Sequence, residues 1–198
     1  MNKKLLFDLK STVNTAKQQL LQKQQSRIKI ECLQKPKLRT FTKFKEFFDT
    51  PAYITRPLSF IQRKFLAKTR LGCLEIRLET GRWARPRIPE EARICQVCQN
   101  FDENVEDEFH FIFECFKYSS LRTIWLEKLE IPNNFQILSK DQKLGIILNH
   151  PNNVKITAQY LIDIFDMRSK IVNKIKCVPK IYHISPPDLC PACNPVPS

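Results

Sequence analysis

Cys95, Cys98, His110 and Cys115 stand in the spacing Cys-x2-Cys-x11-His-x4-Cys, and no other feature of the chain restricts its fold as much. Three thiols and one imidazole are the soft and borderline donors that tetrahedral Zn2+ prefers. With all four positions taken by side chains, none is left for water, and a site closed in that way holds a fold together instead of doing chemistry. Other readings exist for the same residues. Free cysteines bury readily as small apolar side chains, Cys-x2-Cys also serves as a redox or disulfide pair, and His110 lies in the apolar run 109–113, where a lone histidine is usually a satisfied core residue. Four ligand-type residues at metal spacing favour the metal, so one structural Zn2+ is the expected cofactor.

Composition narrows the scaffold around that site. Only 3 of the 198 residues are glycine, against about 7% in average proteins, which argues against a turn-rich β fold. The expected class is mainly α with little β, a helical body built around a small CCHC zinc module. No apolar run reaches the roughly 18 residues of a membrane span, and residues 1–10 mix charges into their apolar positions where a signal peptide would not. A soluble intracellular protein of nucleus or cytoplasm, with no membrane partner, is expected. Eight cysteines without a secretory signal, two pairs of them as Cys-x2-Cys, read as reduced thiols and not as a disulfide scaffold.

The net charge of +13 is uneven. Residues 1–94 hold 22 Lys and Arg against 8 Asp and Glu; residues 95–198 hold 11 against 12. A polyanion is therefore expected to meet the N-terminal half, or a surface that this half shares with the zinc module; the bland alternative is a solvated basic face.

Five segments follow from the patterning. Residues 1–34 form an amphipathic helix with Leu5, Leu9, Val13, Ala16 and Leu20 in one stripe, either packed on the body or paired with another helix. Residues 35–94 form a basic helical region. Phe41, Phe44, Phe47 and Phe48 alternate there with Lys and Arg, a pattern that suits a core-facing stripe or base stacking. A helix is expected over 57–72, started by Pro57 and stopped by Gly72, with Leu58, Ile61, Phe65 and Leu66 on one face. Leu74, Ile76 and Leu78 alternate with charges like a short strand, or continue the helix. Arg77, Arg82, Arg85, Arg87 and Arg93, with Trp83 among them, make a Pro-interrupted basic segment leading into the metal ligands, and are the candidate phosphate contacts.

Residues 95–125 form the zinc module, in which a helix is expected from near Val105 and the acids Glu106, Asp107 and Glu108 stabilise its positive end. Glu106 and Asp107 lack the rest of an active site, so catalysis is not expected. Residues 126–177 are C-terminal helices. One is capped by Ser139 and Gln142, and a long one over 152–176 has Leu161, Ile164, Phe165, Ile171, Val172 and Ile175 on one side. The tail 178–198 is proline-rich. Cys177, His183, Cys190 and Cys193 repeat the ligand types there without a supporting core, and a second zinc site is not expected.

The stretch 70–122 resembles the zinc-binding C-terminal region of non-LTR (LINE-like) retrotransposon reverse transcriptases. The similarity rests on RLGCLEIRLETGRW, IPEEARICQVC, VEDEFHFIFEC and the closing KYSSLR. It implies that Cys95, Cys98, His110 and Cys115 bind the metal and that the region grips template RNA or target DNA. The paired aspartates of a polymerase and the constellation of an endonuclease are missing, and the x11 loop is longer than that of the retroviral zinc knuckle, so knuckle-type base recognition is not implied. The expected function is a non-catalytic, nucleic-acid-binding zinc module, with a separately encoded reverse transcriptase or another protein as a further partner. The alternative is a protein-interaction scaffold or an inert transposon remnant with a structural zinc.

Overall fold

A computed structural model describes residues 3–35, 38–44, 50–98 and 104–177. The tail 178–198 lies outside these, as do Phe47 and Phe48, and of the second candidate metal set only Cys177 falls within them. The chain is mainly helical, and its only β pairing among the described residues is one antiparallel bridge, Ile94 to Val105. No helix there is long and apolar enough to cross a membrane.

Among the described residues eight α-helices follow in order: α1 (Lys3–Leu33), α2 (Arg39–Phe44), α3 (Ala52–Thr55), α4 (Phe60–Leu71), α5 (Arg77–Trp83), α6 (Ser119–Leu126), α7 (Lys140–Asn149) and α8 (Val154–Cys177). Between α5 and α6 lie irregular backbone, a π-helical turn His110–Glu114 and a short 3-10 turn Phe116–Tyr118. The organising element is α8, which packs on α3, α4, α6 and α7. Its buried Val154, Ala158, Leu161 and Ile164 recur every three or four residues, and buried Arg168 and Val172 continue the row, the stripe of a helix with one face inward. Among the described residues one core runs from Leu58 to Val172 and includes Cys95, Cys98 and Cys115, so these three sulfurs are part of the wall against which the helices pack.

Local signals set the helix ends. Gly72 stops α4 as expected, at φ 67 with its N–H on the carbonyls of Lys68 and Thr69, a left-handed cap that suits glycine. The start differs from expectation: Ser59, not Pro57, caps α4, because its hydroxyl can accept from the Gln62 N–H while Gln62 accepts from the Ser59 N–H. With that start, Leu66 faces inward at 0% exposure while Ile61 is 55% exposed. The same pairing of Ser139 with Gln142 opens α7. The apparent strand 74–78 is none: Leu74, Ile76 and Leu78 are all buried, but the first two lie in bends and the third enters α5. In α1 the expected stripe leaves Val13 63% and Leu20 59% exposed, so this part of the helix does not pack on the body.

Arg93 fixes how α5 meets the approach to the metal ligands. Its Nη1 donates to the Leu78 carbonyl at 3.0 Å, and its Nε and Nη2 donate to the Ile88 carbonyl at 3.0 and 2.9 Å. A Cβ added at Gly81 would stand 2.7 Å from Arg93 Cγ and 2.8 Å from Cδ. Those atoms are held by three hydrogen bonds and have little room to yield, so Gly81→Ala is expected to destabilise the fold by about 1–3 kcal/mol despite alanine's better helix propensity. A urea melt checks this, and an unchanged or higher midpoint would contradict it.

Candidate metal centre

The two ends of the site come from unlike backbone. Arg93 to Cys95 pairs with Asn104 to Glu106 through Cys95 N–H to Asn104 O (3.1 Å) and Glu106 N–H to Arg93 O (3.0 Å), which fixes Cys95 and leads the chain to Cys98 in the next turn. Val105, expected near a helix start, is held instead in the bridge to Ile94. Helical backbone begins at Glu108, and Asp107 accepts the His110 N–H at 2.7 Å, the N-terminal role expected of this acidic run.

His110 and Cys115 are five apart, which on an α-helix turns their side chains about 140° from each other. A π-helical turn removes the conflict. Its i to i+5 hydrogen bond, Cys115 N–H to His110 O at 2.8 Å, wraps the extra residue into one turn and brings both side chains to the same point. The ligand atoms of Cys95, Cys98, His110 and Cys115 all lie within 4.8 Å of one another, and all four residues are buried. Cys98 Sγ is 3.6 Å from His110 Nε2. Around a tetrahedral zinc with bonds near 2.3 Å to sulfur, neighbouring sulfurs stand roughly 3.8 Å apart, so the cluster is of the right size for one metal ion.

The electrostatics call for a cation. Cys95 is pulled down to about 3 by the hydrogen bond from Cys115 and, against burial, by that from His110. Burial and the neighbouring Cys95 push Cys98 up to about 11, and the hydrogen bond to Cys95 pushes Cys115 higher still. His110 is raised: burial works against its charge, and Cys95 outweighs burial. The cluster alone thus carries one thiolate and retains the protons on the other two sulfurs. A divalent ion must displace those two thiol protons to gain all four ligands. The sign follows: acid competes with the metal and base favours it. Between roughly pH 6 and 8 the logarithm of zinc affinity should rise by about two per pH unit, more where His110 is protonated. Competition titration with a chromophoric chelator measures the slope, and a flat profile would mean that the thiols do not ligate.

A polar shell surrounds the ligands. His110 Nδ1 is buried without a hydrogen-bond partner and lies 3.7 Å from Glu114 Oε2, whose other oxygen accepts from Lys140 Nζ at 2.9 Å. A carboxylate beside the ring nitrogen that does not bind metal is the usual way such a histidine is oriented. Arg122 donates to the carbonyls of Ile112 and Cys115, clamping the π-helical turn. Glu106 is fully buried: its carboxylate accepts from Arg168 Nε and Nη2 at 2.7 and 2.8 Å and from the Arg77 N–H at 2.6 Å, and lies 3.8 Å from Cys95 Sγ. Burial pushes its carboxyl up and Arg168 opposes the shift.

Sequence reasoning placed Glu106 at a helix start and missed its buried partner, Arg168. The available signal was an arginine at position 168, on the inward stripe of α8 between Ile164 and Val172.

The five candidate arginines separate. Arg93 is 2% exposed with its donors turned onto carbonyls, so it is structural and cannot meet a phosphate. Arg77 is half-buried beside Glu106. Arg82 is half-buried and paired to Glu79 at 3.1 Å, and Trp83, 63% exposed, donates its indole N–H to the same carboxylate at 3.2 Å. Arg85 and Arg87 are exposed, and neither is in an ion pair among the described residues. Compared with family models, curated proteins and solved structures, the chain matches none of them.

Proposed function

We propose that this chain is a non-catalytic zinc-centred module that grips RNA or DNA through phosphate contacts, as the C-terminal zinc region of non-LTR retrotransposon reverse transcriptases is thought to do. Zinc is the metal of choice because three thiolates and an imidazole at tetrahedral spacing form its common structural donor set. The observation that carries the reading is the exposed, unpaired state of Arg85 and Arg87, with Trp83 nearby, on the segment that runs directly into the ligands. Charges left free in this way cost little to present and attract a polyanion at long range. Arg82 supports them from its pair with Glu79, and Arg93 holds the segment in place.

The test is fluorescence anisotropy of the zinc-loaded protein with labelled single-stranded RNA and duplex DNA across a salt series. Log affinity for duplex DNA should fall with log salt by about 0.9 for each phosphate neutralised, and Arg85→Ala with Arg87→Ala should flatten that slope by about two. An absence of binding at low salt, or a slope unchanged in the double variant, would remove the proposal.

A further inference from the structure

A cleft of about 330 Å3 opens between α6 and the first half of α8, on elements other than those carrying the candidate arginines. Leu121, Ile124 and Trp125 line it from α6, and Ile156 and Tyr160 from α8. Spacings of three and four put each set on one helix face, so the cleft is a groove between two helices, a form that accepts a third. Trp125 stacks flat on Tyr160 at 4.2 Å, and the Tyr160 hydroxyl donates to the Ile112 carbonyl, so this wall is braced by the turn that holds the metal ligands.

Two observations say what fills it. Ile124 is 52% exposed beside an apolar groove, leaving hydrophobic surface uncovered. The rim carries a net positive charge: Lys128 and Lys155 are exposed and in no ion pair among the described residues, against one carboxylate, Asp163, which keeps its charge while accepting from the Gln159 amide at 2.9 Å. Both are met by an aliphatic row flanked by carboxylates.

We infer that the groove between α6 and α8 docks a short amphipathic helix of a partner protein, whose leucine or isoleucine anchors seat between Ile124 and Ile156 and whose acidic flanks meet Lys128 and Lys155. This docking is independent of the nucleic-acid reading and leaves Arg85 and Arg87 free.

The probe is a pair of fluorescein-labelled helical peptides with leucines at i, i+3 and i+7, one with glutamates and one with lysines at the flanking positions, titrated into the zinc-loaded full chain. The acidic peptide should bind and the basic one should not. Ile124→Asp, at an exposed position that leaves the fold intact by circular dichroism, should weaken binding roughly tenfold or more. Lys128→Glu with Lys155→Glu should transfer binding to the basic peptide. Failure of the acidic peptide to bind, binding indifferent to Ile124→Asp, or a charge swap that lowers RNA affinity without changing peptide choice would each overturn the inference; the last would make the groove a nucleic-acid face.

Discussion

Removing zinc with a high-affinity chelator is expected to unfold residues 88–125 and to loosen the helices packed on them. The reason is one of magnitude. Apparent binding energies of about 10–16 kcal/mol for structural zinc match or exceed the ~5–15 kcal/mol stability of a whole domain. Cys95, Cys98 and Cys115 also belong to the same core as Leu66, Leu161 and Ile164, so the loss reaches beyond the ligand loops. Without the ion, one thiolate and two neutral thiols occupy a buried site, and the π-helical turn loses its reason to bring His110 back to Cys115. Far-UV circular dichroism should lose a large part of its helical signal on chelation and recover it on zinc return. Cys115→Ser should behave as the chelated protein does. A spectrum unmoved by complete zinc removal would show that the core stands without the metal.

The second large effect is expected at Arg168. Replacing it with methionine removes the one cation that, among the described residues, is bonded to Glu106, a carboxylate with 0% exposure, and leaves an uncompensated charge in the core. Breaking a buried pair from one side costs about 3–5 kcal/mol, a large fraction of total stability. Glu106→Leu in the same chain should return most of that loss, because two apolar side chains replace two desolvated charges, although the bond from Glu106 to the Arg77 N–H is lost as well. The variant pair also has a signature in pH. Without Arg168 the raised Glu106 carboxyl rises further, so Arg168→Met should gain stability as pH falls through that raised value, by proton uptake on folding. Urea melts of the wild type, the two single variants and the double variant give the coupling energy. A double variant as unstable as the sum of the single ones would mean that the pair is not the cause.

The parts of the molecule legible in its sequence are those governed by short-range rules. The four residues of the candidate metal cluster show themselves by type and spacing, α4 by its glycine stop, α7 by its capping box, and α8 by an inward stripe on which the expected Leu161, Ile164 and Val172 are buried. The misreadings arise where tertiary contacts override such rules. Alternation at Leu74, Ile76 and Leu78 looks like a strand because burial on every second residue can come from bends as well as from a sheet. Glu106 looks like a solvated acid at a helix start because its partner stands on α8, 62 positions away. Arg93 looks like a phosphate contact because charge alone does not reveal that its donors are taken up by the Leu78 and Ile88 carbonyls. The π-helical turn is legible only in hindsight, from the misfit of a five-residue step on a helix of 3.6 residues per turn.

The claim on which the rest depends is a closed Cys3His zinc centre, and zinc-edge X-ray absorption of the purified full chain tests it most directly. The account predicts one zinc per chain with three sulfur neighbours near 2.3 Å and one nitrogen at about 2.0–2.1 Å, with no light-atom ligand from water. A chain purified without zinc that also refuses it when titrated, or a zinc coordinated chiefly by oxygen, would contradict the account.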